Sequence, residues 1–337
     1  MSDALVLAGG VAKGAFTAGA LAVLSDPATK AQLGLDVTRI VGASSGALNG
    51  VFYAAAVRGG NEAFAGQRLA QVWLDDATLG GAFDFSLRDL LGGVGLSTDE
   101  KVLSILRKQI APNASPGTPI ELRLVVTNAD GEAVSTGDGG TATTFEHVVD
   151  FTGADFDTAA SLERVFVATA ASAALPGAYA PVSLDVGGRT IRCLDGGVVD
   201  DTPLGHALTG APDITRVFVI VPTPRVRTQP ADLHGLALAS HVFDILVDER
   251  LVRDLRHVAR VNRVLASLPS LVADAGERAA LLEALGWTGR RPVQVIEIRP
   301  EAELPGNGFS GFTSLALRQG YVQSGSEAAR RVIASGA

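Results

Sequence analysis

An α/β fold built around a parallel sheet is what this sequence predicts, and three observations carry the prediction. β-prone runs alternate with helical ones from the N-terminus onward. The first two of these runs each pass through a glycine-rich loop directly into a helix. Aromatic residues make up only 5% of a chain that holds 39 glycines, so the interior must be packed from Ala, Val and Leu around many turns.

The elements follow in order. Ala4 to Ala8 reads as a strand, Gly9 to Gly14 as a loop and Ala15 to Leu24 as a helix. Thr38 to Val41, Gly42 to Gly46 and the Ala-rich run from Ser45 repeat that order, and two crossovers of this kind imply parallel pairing. A helix is expected over Asn61 to Asp75, then an aperiodic excursion from Leu79 to Gly95 that is a candidate cover for a pocket. Ser97-Thr98-Asp99-Glu100 has the spacing of a capping box ahead of a helix over Val102 to Ile110. Glu121 to Thr127 reads as a strand, with Asn128-Ala129-Asp130-Gly131 a turn into a second, Thr-rich strand. Ser161 to Ala173 is helical until Pro176. Val182 to Val186 and Thr190 to Leu194 flank Gly187-Gly188 as a hairpin that ends at Asp195. Arg216 to Val221 is a buried-type strand, Leu236 to Leu265 a long amphipathic helix, Val293 to Arg299 a last strand and Thr313 to Ile333 a last helix. No linker or internal repeat divides the 337 residues.

Composition narrows the function classes. A net charge of -8 argues against a general nucleic-acid binder, which needs an excess of Lys and Arg. A single cysteine, Cys193, excludes an intramolecular disulfide and fits a reducing compartment, and Asp3 stands where a signal peptide would carry positive charge, so a cytoplasmic location is expected. The uncharged stretch from Val165 to Leu184 contains Pro176 and Pro181 and reads as buried core, which leaves peripheral contact as the mode of any membrane engagement. Arg253, Arg256, Arg260 and Arg263 fall at helical spacing. They read as a solvated face, or else as a basic stripe toward anionic lipid. Cys193, Trp73 and Trp287 read as packing residues. No His/Cys/Asp group has metal-ligand spacing, so neither a catalytic metal nor any cofactor is expected.

Three segments carry chemistry. Gly42-Ala43-Ser44-Ser45-Gly46 is a G-x-S-x-G sequence between a strand and a helix, the context in which a serine hydroxyl is exposed at a sharp turn. Ser44 at its centre is the candidate nucleophile, Ser45 its rival, and a chance glycine turn the bland alternative. Gly9-Gly10-Val11-Ala12-Lys13-Gly14 is a second glycine loop at a strand end, and the Gly10 and Val11 amides are candidate oxyanion donors. It lacks the order of a P-loop or a G-x-G-x-x-G, which makes phosphate binding the lesser reading, and a simple turn stays open. Leu194-Asp195-Gly196-Gly197 brings a carboxylate to a strand end, where it is either a base for the serine or an Asp-Gly turn. A triad histidine would come from His206, His234, His241 or His257, none of which stands in a recognisable catalytic loop.

Taken jointly, these segments resemble the patatin-like phospholipase family over residues 4 to 220. Ala4 to Phe16 is similar to its glycine-rich loop, Gly42 to Asn49 to its nucleophile elbow, Ala171-Ser172-Ala173-Ala174-Leu175-Pro176 through Val182 to its Ala-Ser-x-x-x-Pro segment, and Asp195 to Asp200 with Thr202-Pro203 to its Asp-Gly-Gly segment. The resemblance implies a three-layer fold with a mostly parallel central sheet flanked by helices. Residues 1–220 would form the catalytic core, and 221–337 a helical and strand completion of the same domain. It implies a lipid acyl hydrolase of phospholipase A or lysophospholipase type, with a Ser44-Asp195 dyad and an acyl-enzyme. Gly9, Gly10, Val11, Lys13 and Gly14 would form the oxyanion site, Gly42 and Gly46 the elbow, and Gly196 and Gly197 the Asp-Gly-Gly turn. The substrate would be a phospholipid or another acyl-ester lipid, and the oligomeric state is left open. Ala8 and Val11 depart from the pattern where glycine is common, and Asp201 stands where Asn is common, so that an extra carboxylate comes near Asp195. A carboxylesterase or thioesterase on short acyl esters, and a catalytically silent lipid-binding protein, are the competing functions.

Overall fold

The computed structural model describes residues 2–82, 97–113, 117–227 and 235–336, with the side chains of 235–244, 246 and 247 excepted. Eight strands form one sheet: β1 (Ser2–Leu7), β2 (Val37–Gly42), β3 (Glu121–Ser135), β4 (Thr141–Thr152), β5 (Val182–Val186), β6 (Arg189–Leu194), β7 (Ile214–Ile220) and β8 (Gln294–Ile298). Their order is β5-β6-β3-β2-β1-β7-β8, with β4 paired to β3 off this path. The four central pairings, β3 to β2, β2 to β1, β1 to β7 and β7 to β8, are parallel, while β4, β5 and β6 pair antiparallel. The sheet is thus mixed, parallel at its centre and antiparallel where the hairpins attach.

Helices cover both faces: α1 (Gly14–Leu24), α2 (Pro27–Leu33), α3 (Ser45–Arg58), α4 (Glu62–Asp75), α5 (Leu79–Ala82), α6 (Glu100–Gln109), α7 (Ala159–Ser172), α8 (Gly197–Asp200), α9 (Leu204–Leu208), α10 (Gly235–Leu271), α11 (Ala275–Ala284), α12 (Ser310–Thr313) and α13 (Leu315–Ala334). Strand alternation sorts the core into two layers. In β1, Leu5 and Leu7 pack with α1, α3, α4 and α7 on one face, whereas Ala4 and Val6 pack with Leu204 and Ala207 of α9 and Leu251 and Val258 of α10 on the other. A central strand buried on both faces must be apolar throughout, which is why the run from Ala4 to Ala8 shows no polar alternation. Helix α1 is buried nearly all round because α13 crosses its outer side. The crossing is close: a Cβ on Gly19 would stand 2.0 Å from the Val322 carbonyl oxygen, and one on Gly325 would stand 1.9 Å from that of Phe16.

Local chemistry explains the ends of several elements. Asp26 caps α2 by accepting from the Thr29 amide at 3.0 Å, Pro27 opens the helix, and Gly34 closes it in the left-handed region. Gly187 and Gly188, both at positive φ, make the two-residue β5–β6 turn expected from sequence. Cys193 lies buried in β6, where desolvation pushes its thiol up to about 12. Trp73 is buried with its indole N–H on Asn49 Oδ1 at 2.7 Å, and Trp287 is half-buried under Arg290. Arg253, Arg256, Arg260 and Arg263 of α10 are all exposed.

Two expectations are corrected. The stretch from Asn128 to Gly131 is not a turn, because β3 runs through it with a register shift between Thr127 and Glu132 opposite β4. Asp130 holds Arg192 of β6 instead of closing a hairpin, and the turn comes later, between Ser135 and Thr141. The capping box before α6 does not form: the helix begins at Glu100 with Asp99 as its cap and no side-chain cap hydrogen bond. The backbone of Ser97 is engaged elsewhere, donating to Ala178 and accepting from Ala180. Of the Leu79 to Gly95 excursion, 79–82 form α5, while 83–95 lie outside the described residues, as do His234 and the side chain of His241.

Candidate active site

Ser44 sits between β2 and α3 with φ 54° and ψ -128°, a backbone conformation that side-chain-bearing residues rarely adopt. The flanking glycines make that turn sterically possible. A Cβ on Gly46 would stand 1.9 Å from the Leu7 carbonyl oxygen, and one on Gly42 would stand 2.7 Å from that of Gly46. Those contacts let β1, β2 and α3 close around the serine, which is left 7% exposed at the helix N-terminus.

Asp195 arrives from the end of β6. Its amide donates to the Ala174 carbonyl at 2.9 Å, and its own carbonyl accepts from Thr127 Oγ1 at 2.7 Å, so the backbone is held on two sides. Its side chain accepts from Ser44 Oγ at 2.8 Å through Oδ2 and from the Gly197 amide at 2.7 Å through Oδ1. The carboxyl is 2% exposed, and burial pushes it up to about 7, against the opposing pull of the Ser44 and Gly197 hydrogen bonds. Near neutral pH it can therefore both take up and release a proton.

Ser172, at the end of α7, joins the two candidates and was not singled out for a role from sequence. Its hydroxyl donates to the Val125 carbonyl at 2.6 Å and accepts from the Ser44 amide at 3.1 Å, while its carbonyl accepts from the Ser44 amide at 3.1 Å and the Gly196 amide at 3.0 Å. The only signal was its place in the Ala-Ser-x-x-x-Pro segment.

The first glycine loop lies beside them. Gly9 passes so close to Ser44 that an added Cβ would stand 2.9 Å from the serine Cβ and 2.0 Å from Asp201 Oδ1. Val11 has φ 54°, the conformation a glycine adopts freely. The Ala8, Gly9, Ala12 and Lys13 amides are bonded to Ile220, Asp201, Gly308 and Gly10 carbonyls, while those of Gly10 and Val11 have no acceptor among the described residues. Two unspent donors thus sit in the loop against the serine turn. Gly14 abuts Ser45 and Trp73, where a Cβ would stand 2.7 Å from the Ser45 Cβ and 2.6 Å from the indole ring. Lys13 closes the short 3-10 turn in front of α1.

Ser44, Ser45, Val11 and Asp195 open onto a cavity of about 800 Å³, its open mouth included, walled by Leu48, Phe52, Leu69, Val72, Trp73, Val102, Ile105, Leu106, Leu175 and Phe312. The wall is almost wholly apolar, with the polar groups gathered at Ser44. Ser45 is the first residue of α3, and its buried hydroxyl has no hydrogen-bond partner among the described residues. The histidines with described side chains lie elsewhere. His206 bonds Glu146 at 2.7 Å, His147 faces Glu132 at 3.4 Å, and His257 is exposed. Among the described residues one trio has ligating atoms within 4.8 Å of one another, Glu146, Asp200 and His206, and no spacing in the sequence announces it because each member comes from a different element.

Residues 5–208 match the family model described as Patatin-like phospholipase. A solved structure, that of VipD from Legionella pneumophila, is similar at 13% identity and a TM-score of 0.43, over 99% of this chain and 67% of that one. No curated protein matches.

Proposed function

From the premise that this chain belongs to the patatin-like phospholipase family, whose members are lipid acyl hydrolases, we propose that it cleaves fatty-acyl esters of phospholipids or lysophospholipids through a Ser44-Asp195 dyad. The observation that carries the reading is the 2.8 Å hydrogen bond from Ser44 Oγ to Asp195 Oδ2 at the polar end of an apolar cavity.

The acyl chain enters the cavity with its carbonyl carbon over Ser44. Asp195 takes the hydroxyl proton as Oγ attacks, and the Gly10 and Val11 amides receive the developing oxyanion. The tetrahedral adduct collapses, Asp195 returns the proton to the leaving alcohol, and an acyl-enzyme remains. Water then attacks that ester with Asp195 again as base, releasing the fatty acid and restoring Ser44. A base near pH 7 suits both halves of the cycle, since it must accept and donate in turn. Ser172 and Gly197 act as positioning residues for Ser44 and Asp195. Residues 221–337 complete the same domain in this reading, with β8 extending the sheet and α13 packed on α1.

The test is hydrolysis of a phospholipid panel and a p-nitrophenyl ester series by wild type, Ser44→Ala and Asp195→Asn, with fluorophosphonate labelling of the serine. Long acyl chains should be preferred, and labelling should vanish only with Ser44. A strict preference for short chains would favour a carboxylesterase or thioesterase. Absence of labelling in wild type would favour a silent lipid binder.

A further inference from the structure

Beyond the acyl-hydrolase site, we propose that Glu146, Asp200 and His206 form a binding site for one divalent first-row cation, Mn²⁺ or Zn²⁺, that ties β4, α8 and α9 together. Their ligating atoms lie within 4.8 Å of one another, and His206 Nε2 and Glu146 Oε1, now hydrogen-bonded at 2.7 Å, need separate only to the roughly 3.3 Å between neighbouring ligand atoms of a tetrahedral ion, which would take the place of that bond. One imidazole and two carboxylates are the donor set these cations take, whereas Ca²⁺ and Mg²⁺ prefer oxygen alone.

An independent observation points the same way. The Asp200 side chain is 1% exposed, yet neither of its oxygens has a hydrogen-bond partner among the described residues. A buried carboxylate is ordinarily satisfied, and here the nearest cation is Arg250, whose Nη2 stands 3.2 Å away without hydrogen-bond geometry. The arginine is otherwise committed, donating to the Val199 carbonyl at 2.8 Å and pairing with Glu146 Oε2.

Charge balance completes the case. Glu146, Asp200 and Asp254 interact electrostatically in this cluster with one guanidinium, that of Arg250. With His206 neutral, as a ligand must be, two negative charges are left over, and a divalent ion removes both. Arg123 of β3 donates to the His206 carbonyl and is itself paired with Asp150, so it adds no free charge. Glu146 and His206 are 21% and 23% exposed, which gives the ion a route in from solvent while Asp200 forms the floor.

The test uses chelator-stripped full-length protein titrated with Mn²⁺, Zn²⁺ or Ca²⁺ alone, reading bound metal and thermal midpoint rather than hydrolysis, so that it succeeds or fails apart from the catalytic reading. One equivalent of Mn²⁺ or Zn²⁺ should bind and raise the midpoint by about 5 °C at saturation, with both effects lost in Asp200→Asn and in His206→Gln. His206→Gln alters a partly exposed side chain and keeps the test meaningful if Asp200→Asn misfolds. No bound metal, or binding that His206→Gln leaves intact, would overturn the proposal. A rise with Ca²⁺ that both variants retain would do so too, by assigning the effect to surface carboxylates.

Discussion

The turn at Ser44 and the loop at Val11 join the strand and helix of the first two units with the same positive φ, 54° at each, and among the described residues no other non-glycine residue has a positive φ. They carry that conformation differently. At Ser44 the strain sits on the proposed nucleophile itself, and the glycines beside it are fixed by contacts with neighbouring backbone. At Val11 the side chain has no part in the proposed chemistry, and the turn leaves two amides without acceptors among the described residues. One turn orients a side chain and the other orients the main chain, so substitutions should separate them sharply.

The largest expected effect belongs to Ser44. Ser44→Ala should lower kcat by about 10⁴-fold or more and abolish fluorophosphonate labelling while the circular dichroism spectrum is unchanged. Substantial turnover in this variant would pass the role to Ser45, which opens onto the same cavity.

Asp195→Asn should reduce kcat by about 10³-fold, and its second signature lies in stability. Because burial raises the folded-state carboxyl from 3.8 to about 7, the folded protein holds a proton that the unfolded chain releases between those values. The contribution of Asp195 to wild-type stability should therefore fall as pH rises from about 4 to about 7, by about 4 kcal/mol at most, on top of the same-sign fall from Asp200, which burial raises to about 6. The variant should lack the Asp195 part of that slope and melt higher than wild type at pH 8. In wild type, kcat/KM should climb through pH about 7 as the base ionises, then level off. A midpoint near the ordinary carboxylate range would show that burial does not raise the base, and an unchanged profile in Asp195→Asn would show that Asp195 is not the base.

How much of this was legible in the chain depended on the range of the signal. Gly42 and Gly46 announced the Ser44 turn because the steric demand is local, and Gly187-Gly188 announced its hairpin for the same reason. The stretch from Asn128 to Gly131 misled because its turn chemistry serves a tertiary purpose. Asn128 Oδ1 accepts from the Asp130 amide at 3.1 Å, as in a turn, but Asp130 then binds Arg192 of β6 and the strand continues. The role of Ser172, signalled only by its segment, and the Glu146, Asp200 and His206 trio could not be read because their partners come from other strands and helices, and no spacing encodes that meeting.

Next in size is Gly46→Ala. Its Cβ would meet the Leu7 carbonyl oxygen at 1.9 Å, and backbone cannot step aside as a flexible side chain can. A loss of about 3 kcal/mol in chemical denaturation is expected, together with weaker labelling as α3 is pushed off β1. Unchanged stability would mean that the serine turn tolerates displacement, and the distinction between the two turns would weaken.

The smallest effect is expected from Val11→Gly, and it discriminates best. Glycine relieves about 1–2 kcal/mol of left-handed strain, while added freedom in the unfolded chain costs about 0.5–1 kcal/mol and the cavity loses one apolar wall. The net change in stability should stay within about 1 kcal/mol of zero. Because the amide remains, labelling should persist and kcat/KM should drop less than about tenfold, mostly through KM for the acyl chain. A collapse in kcat would mean that the Val11 side chain sets the donor geometry, and the loop would then act through its side chain just as the serine turn does.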